Sequence, residues 1–335
     1  MQIQQRINAF VKLGEELNSI LLNDNQLLSS ASAHNGWFTM ENLEFALKSW
    51  SEALSEENIS HWLKKYVFKD REPKTVAIVM AGNIPLVGFH DFIAVLITGN
   101  KVKAKLSSHD SILLPFIAEK LIDIEPEFKE RIEFTEEKLS DFDAVIATGS
   151  NNTARYFEYY FGKYPHIIRR NRNSVAVLSG NETQEELEGL ADDIFRYFGL
   201  GCRNVSKVFI PKGYNFDAFF KAMYSWKDII NNNKYINNYD YNKAVYLISD
   251  IPLLDNEFML LKEDKGFSSP ISVVFYEYYN SIESLKSLLK DNSEEIQAVV
   301  SDMDLQDAIP IGNAQSPQLW EYADGVDTVK FLLKL

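Results

Sequence analysis

The chain has 335 residues and a mass of 38.5 kDa, which corresponds to about two domains at roughly 150 residues each. Its formal charge of −14 and pI near 4.9 deny it the broad basic face that nucleic acid or an anionic membrane surface requires. A single cysteine, Cys202, excludes an intramolecular disulfide and a cysteine-rich zinc site.

In chain order, residues 1–72 read as a helical arm: Ile7, Phe10, Val11 and Leu17 recur at helical spacing, and Leu54, Ile59, Trp62 and Leu63 repeat the pattern. The opening hexapeptide leads into that amphipathic pattern rather than into the apolar core of a secretory signal. No stretch reaches the roughly 18 apolar residues of a membrane span, so the expected compartment is reducing and cytoplasmic. After Pro73 the run Thr-Val-Ala-Ile-Val-Met (75–80) reads as a strand buried on both faces. The turn 81–85, a helix over 89–98, the Gly99-Asn100 stop and an alternating strand over 101–106 make a βαβ unit. A helix over 112–124, strands near 132–134 and 143–147, the turn Thr148-Gly149-Ser150 and a further helix continue the alternation of a doubly wound α/β domain.

A second set starts with a strand at 174–178 and a helix whose start is marked by the capping pair Thr183 and Glu186. Leu187, Leu190, Ala191, Ile194, Phe195 and Phe198 form its apolar face, and Gly199 ends it. Strands at 208–210, 245–248 and 271–275 and helices near 216–226 and 282–289 complete the set. The Asn- and Tyr-rich tract 231–242 reads as a surface loop. The predicted division is an arm over 1–72, a nucleotide-binding α/β domain over 73–172 with 311–335 as a candidate completion, and a catalytic α/β domain over 173–310.

Several chemistries lack their marks. The five histidines form no His-Glu-x-x-His pair, and there is no Gly-x-Ser-x-Gly elbow or phosphate loop. Only Gly82 and Gly88 follow the first strand, short of the usual dinucleotide fingerprint. Asp302, Asp304 and Asp307 lack the glycine and distal glutamate of a calcium loop and read as a solvated acidic face. No metal is expected. Cys202 stands out because Gly199 and Gly201 precede it, removing side chains where a ligand or backbone must come close, and Arg203 sets a cation beside the thiol. On the residues alone it remains either a reactive thiolate or a small buried hydrophobe.

The order of segments resembles the aldehyde dehydrogenase superfamily, and within it the fatty acyl-CoA reductases of bacterial bioluminescence, from about residue 75 to 304. Residues 81–86 (Ala-Gly-Asn-Ile-Pro-Leu) resemble the family's Pro-Trp-Asn-Phe-Pro turn, and 99–107 its Gly-Asn-x-Val-x-x-Lys-Pro-Ser strand. Thr148-Gly149-Ser150 resembles the Thr-Gly-Ser turn, 174–211 the strand, helix and cysteine turn, and 269–273 the later Gly-Pro-Val segment. The resemblance implies two doubly wound α/β lobes sharing a cleft, with Cys202 as nucleophile and Asn83 as an oxyanion donor. It also implies cofactor binding at Lys105, Ser107, Ser108, Gly149 and Ser150. Three simpler roles stand beside these: Asn83 as a turn residue, Lys105 as a solvent-facing strand residue, and Gly149-Ser150 as a helix cap.

Departures refine the expectation. Where hydrolytic members carry Glu-Leu-Gly-Gly-Lys, residues 169–173 read Arg-Arg-Asn-Arg-Asn, so the water-activating base is missing and an acyl-cysteine should persist for coenzyme A chemistry. The same arginines are candidates to meet phosphates or to form a solvated basic turn. Ser108 replaces the glutamate that repels a 2′-phosphate, which favours NADPH over NADH. The expected nicotinamide-ribose glutamate falls on Gly266, with Glu263 and Asp264 close by. The resulting expectation is reduction of an acyl-CoA to its aldehyde. A conventional or short-chain acylating aldehyde dehydrogenase and a non-catalytic cofactor or coenzyme A module are the alternatives. The family usually dimerises through a hairpin and tail, which keeps a homo-oligomer among the readings.

Overall fold

The computed structural model describes residues 1–335 and divides into two compact units, one of residues 1–171 and 318–335 and one of residues 172–317. In the first, four helices, α1 (Ile3–Asn23), α2 (Asn25–His34), α3 (Met40–Ala53) and α4 (Glu56–Leu63), precede β1 (Thr75–Val79). The chain continues through α5 (Phe89–Ile97), β2 (Lys101–Lys105), α6 (Leu113–Ile124), β3 (Ile132–Phe134), β4 (Ala144–Thr148), α7 (Asn151–Phe161) and β5 (His166–Arg169). The five strands pair in parallel in the order β3-β2-β1-β4-β5. Near-continuous apolar strands such as β1 and β4 are what burial on both faces demands.

The N-terminal helices are part of this unit's core rather than an appendage. Phe10, Leu13 and Leu17 on α1 share one buried cluster with Phe89, Phe92 and Ile93 on α5. The buried Arg6 guanidinium donates to the Ile97 carbonyl at the end of α5 (2.9 Å). The tail returns to the same core, burying Leu319, Val329 and Leu332.

The second unit runs β6 (Asn173–Val177), α8 (Gln184–Phe195), β7 (Val205–Pro211), α9 (Phe216–Met223), α10 (Asn233–Ile248), β8 (Leu254–Asp255), β9 (Leu260–Glu263), β10 (Val273–Tyr279), α11 (Ile282–Asp291) and β11 (Ile296–Val300). Its sheet has the order β11-β6-β7-β10-β9-β8, parallel except for the β8–β9 pair. The capping box of Thr183 and Glu186 is formed, and Leu187, Leu190, Ala191, Ile194 and Phe195 are buried. The α12 helix (Thr328–Leu332) belongs to the first unit.

Two sequence expectations fail together. Neither the loop over 231–242 nor the strand over 245–248 exists, because α10 covers nearly all of both. Asn232 caps that helix by accepting from the Lys234 and Tyr235 amides, so asparagine here starts a helix rather than a loop. Tyr235, Tyr239 and Asn242 fall on one helical face and are buried, and the Tyr235 hydroxyl donates to the Phe258 carbonyl (3.0 Å). Tertiary anchoring of that face outweighs the weak local propensity.

Candidate active site

The six candidate residues before β5 all lie in the first unit, at the carboxyl ends of three neighbouring strands. Val79 on β1 is in register with Lys105 on β2 and Ala147 on β4. The turns carrying Asn83, the Ser107-Ser108 pair and the Gly149-Ser150 pair therefore leave the sheet along one edge. The chain passes to opposite sides of β1 here, which makes this the topological switch point where open α/β sheets take their ligands.

Asn83 is exposed in this turn, and the turn itself is pinned. Leu86 adopts a φ of 57°, and its amide donates to the buried Asp110 carboxylate (2.8 Å). Burial lifts the Asp110 carboxyl to about 6 against that stabilising bond. A Cβ at Gly82 would overlap the Ser107 side chain, so glycine is required for the two turns to touch. Ser107 Oγ accepts from the His109 amide (3.2 Å), and His34 at the end of α2 bonds through Nε2 to the Ser108 carbonyl (2.7 Å). Lys105 Nζ donates to the Glu137 carbonyl (3.0 Å). Ser150 caps α7, accepting from the Thr153 amide (3.2 Å), and a Cβ on Gly149 would crowd Thr153 and Phe157. The simpler helix-cap role is thus realised at Ser150. The start of α7 also presents the partial positive charge that suits a phosphate.

The arginine run does not offer its first member to phosphates. Arg169 is buried in a bidentate pair with Asp91, and its Nη2 also donates to Thr328 (3.1 Å). This pair ties α5, β5 and α12 together. Arg170 pairs with Glu158, and Arg172 donates to the Ser293 carbonyl (3.1 Å). Arg169 is thus structural, while Arg170 stays exposed with its pair to Glu158.

Cys202 lies in the second unit, exposed, in the turn before the amino end of β7. Its position is determined by its neighbours. The chain leaves α8 through Tyr197, Phe198 and Gly199 with φ of 55°, 59° and 74°, a left-handed stretch that costs roughly 1–2 kcal/mol per residue outside glycine. Asn204 offsets that cost. Its Nδ2 donates to the carbonyls of Asp193 (3.2 Å) and Arg196 (2.7 Å), and its Oδ1 accepts from the Gly201 amide (2.7 Å). Ser174 Oγ on β6 donates to the Cys202 carbonyl (3.0 Å). A cavity of about 50 Å³ beside the turn is lined by Phe195, Phe198, Gly201, Tyr235 and Met259.

Of the expected ribose contacts, Gly266 donates its amide to Asp264 Oδ1 (2.8 Å), and Asp264 is paired with Lys262. No cluster of three or more His, Cys, Asp or Glu side chains is placed to hold a metal ion. Sequence reasoning passed over Asp110, Asp193 and Asn204. Only Asp193 carried a signal, as an acid within the apolar stripe of α8.

Comparison with known proteins bears on this arrangement. The acyl-CoA reductase (LuxC) family matches residues 8–222. No curated protein matches the chain. Among solved structures, an aldehyde dehydrogenase from Bacillus cereus in complex with NAD+ superposes with a TM-score of 0.63 at 14% identity, covering 91% of this chain and 73% of that one. A mutant of the AldA indole-3-acetaldehyde dehydrogenase from P. syringae, in complex with NAD+ and IAA, gives 0.70 at 14% identity over 94% and 75%. Aldehyde dehydrogenase 21 from Physcomitrella patens, in complex with succinate, gives 0.66 at 12% over 91% and 74%. These likenesses establish the aldehyde dehydrogenase fold, and with most of its length matched the chain belongs to the acyl-CoA reductase (LuxC) family of oxidoreductases.

Proposed function

We propose that the chain reduces an acyl-CoA, with a fatty acyl group, to the aldehyde through a thioester on Cys202. The observation that carries this reading is an exposed cysteine in a turn whose backbone is fixed by buried side chains. A nucleophile held in one orientation avoids the entropy of being positioned during the reaction.

The Cys202 thiolate attacks the thioester carbonyl, forming a carbon–sulfur bond as the carbonyl electron pair moves to oxygen. The Asn83 amide and the Cys202 backbone N–H stabilise that oxyanion. Collapse expels coenzyme A as its thiolate. A bound nicotinamide cofactor would supply hydride to the acyl-cysteine; the thiohemiacetal oxyanion on Cys202 then re-forms its C=O bond as the carbon–sulfur bond breaks, releasing the aldehyde and restoring the Cys202 thiolate. Lys105, Ser107, Ser108, Gly149 and Ser150 would hold the cofactor. Supporting that role, they gather at the switch point beside the start of α7, where Gly82 lets the Asn83 and Ser107 turns meet and Gly149 leaves room for Thr153 and Phe157 of α7. Ser108 in place of an acid favours NADPH. Residues 169–173 provide no glutamate to activate water, which supports reduction over hydrolysis to a free acid.

The test is incubation of the full chain with myristoyl-CoA and NADPH, followed at the nicotinamide absorbance with product identification. Aldehyde and free coenzyme A are expected. Free acid as the main product would convert the reading to a conventional aldehyde dehydrogenase. A Cys202 no more reactive than glutathione toward iodoacetamide, with no NADPH consumed, would convert it to a binding module.

A further inference from the structure

The segment after β11 crosses α8 and reaches the cysteine turn, although nothing in its composition marks it as part of a site. The Asp193 carboxylate on α8 is fully buried and accepts from two of its amides, Gly312 (2.7 Å) and Ala314 (2.9 Å). The next residue, Gln315, is itself buried and donates through Nε2 to the Arg203 carbonyl (3.1 Å) and the Asp193 carbonyl (3.2 Å). Arg203 replies by donating Nε to the Ala314 carbonyl (2.8 Å). The approach is close enough to need glycine on both sides: a Cβ on Gly189 would stand 3.1 Å from the Gly312 Cα, and Gly312 has a φ of 84°.

We propose that residues 312–315 are a strap that positions Cys202, with Asp193 and Gln315 as positioning residues for its attack. The assignment rests on Cys202 being the nucleophile. Arg203 follows the cysteine directly, so its backbone carbonyl and side chain are both held by the strap. Ser174 fixes the Cys202 carbonyl from β6. The thiol-bearing residue is therefore held from two sides, and the strap's two amides converge on one carboxylate. An uncompensated buried carboxylate would be costly, and here two amides satisfy it. Burial lifts the Asp193 carboxyl to about 7, against the two amide bonds from Gly312 and Ala314, which favour its ionised form.

Three variants of the full chain test this. Asp193→Asn keeps the shape but turns an amide N–H toward one of the two strap amides. Gly189→Ala pushes the strap without touching charge, and Gln315→Ala removes only the links to the Arg203 and Asp193 carbonyls. Each is measured by steady-state kinetics, by single-turnover labelling of Cys202 with radiolabelled myristoyl-CoA, and by thermal melting. The expected result is a fall in kcat and acylation rate of roughly tenfold or more, with KM for acyl-CoA and NADPH within about twofold of wild type. If Asp193→Asn does not fold, Gln315→Ala and Gly189→Ala decide the matter by the same readouts. Folded variants with lowered melting temperature and undiminished acylation would overturn the strap and leave the nucleophile standing. Wild type that acquires no label on Cys202 would overturn both.

Discussion

The two units treat their candidate residues differently. In the first, Asn83 and the cofactor candidates sit on turns at the carboxyl ends of parallel strands, where one carboxylate, Asp110, ties the Asn83 turn at Leu86. In the second, Cys202 lies before the amino end of β7, and Ser174, Asn204, Arg203 and Gln315 all bond to its turn or to the strap beside it. A ligand-binding edge gains from open turns and backbone donors, while a nucleophile gains from having a single orientation before substrate arrives. The contrast lies in where the buried polar partners act: at Leu86, three residues beyond Asn83, in the first unit, and on the cysteine turn itself in the second.

The comparison can be broken most directly at Cys202, the proposed nucleophile. Cys202→Ala should lower acyl-CoA reduction by roughly 10³-fold or more while NADPH binding, read by fluorescence titration, is retained. Retention of more than a few per cent of wild-type rate would remove Cys202 from the mechanism. Asn83→Ala should cost roughly 10²–10³ in kcat, the usual effect of losing one oxyanion donor. Because Asn83 is exposed, the melting temperature should stay within a degree or two of wild type on the roughly ±0.5 kcal/mol scale of surface substitutions.

Two stability measurements sharpen the contrast. Asn204→Ala removes one donor to the Asp193 carbonyl, the side-chain donor to the Arg196 carbonyl and the acceptor of the Gly201 amide, which should cost about 2–3 kcal/mol in urea denaturation. A cost below 1 kcal/mol would mean the left-handed stretch holds itself. Asp110 makes the pH-dependent case. Its carboxyl is raised from 3.8 to about 6 by burial, so the folded chain holds this proton more tightly than the unfolded one. The associated stability is fully present below about pH 4 and is lost as pH rises through 6, on the order of 2–3 kcal/mol. Asp110→Asn should flatten that slope between pH 4 and 7, and an unchanged slope would show that the carboxyl is not the source.

Much of the architecture could be read in advance because the signals were local. The apolar run 75–80, the Gly99-Asn100 stop and the Thr183/Glu186 capping pair each specify an element through neighbours within a few residues. Cys202 stands out as a candidate because it is solitary and preceded by glycines. The strap was not, since Gly-Asn-Ala-Gln at 312–315 has no periodicity, and its meaning depends on Asp193, more than a hundred residues earlier. The helix α10 is not legible in the sequence for a related reason. Its stability comes from Tyr235, Tyr239 and Asn242 meeting distant partners at Phe258, Asp255 and Ile271.

The sequence by itself determined the alternation of strand and helix, the family likeness and the identity of the one thiol, because periodicity, caps and residue chemistry are properties of short segments. Only the tertiary structure decided that Arg169 is paired with Asp91 rather than offered to a phosphate, and that Asp193 holds the strap beside Cys202. The physical reason is that a buried charge has no assigned role until the fold brings its partner, and that partner lies far away along the chain.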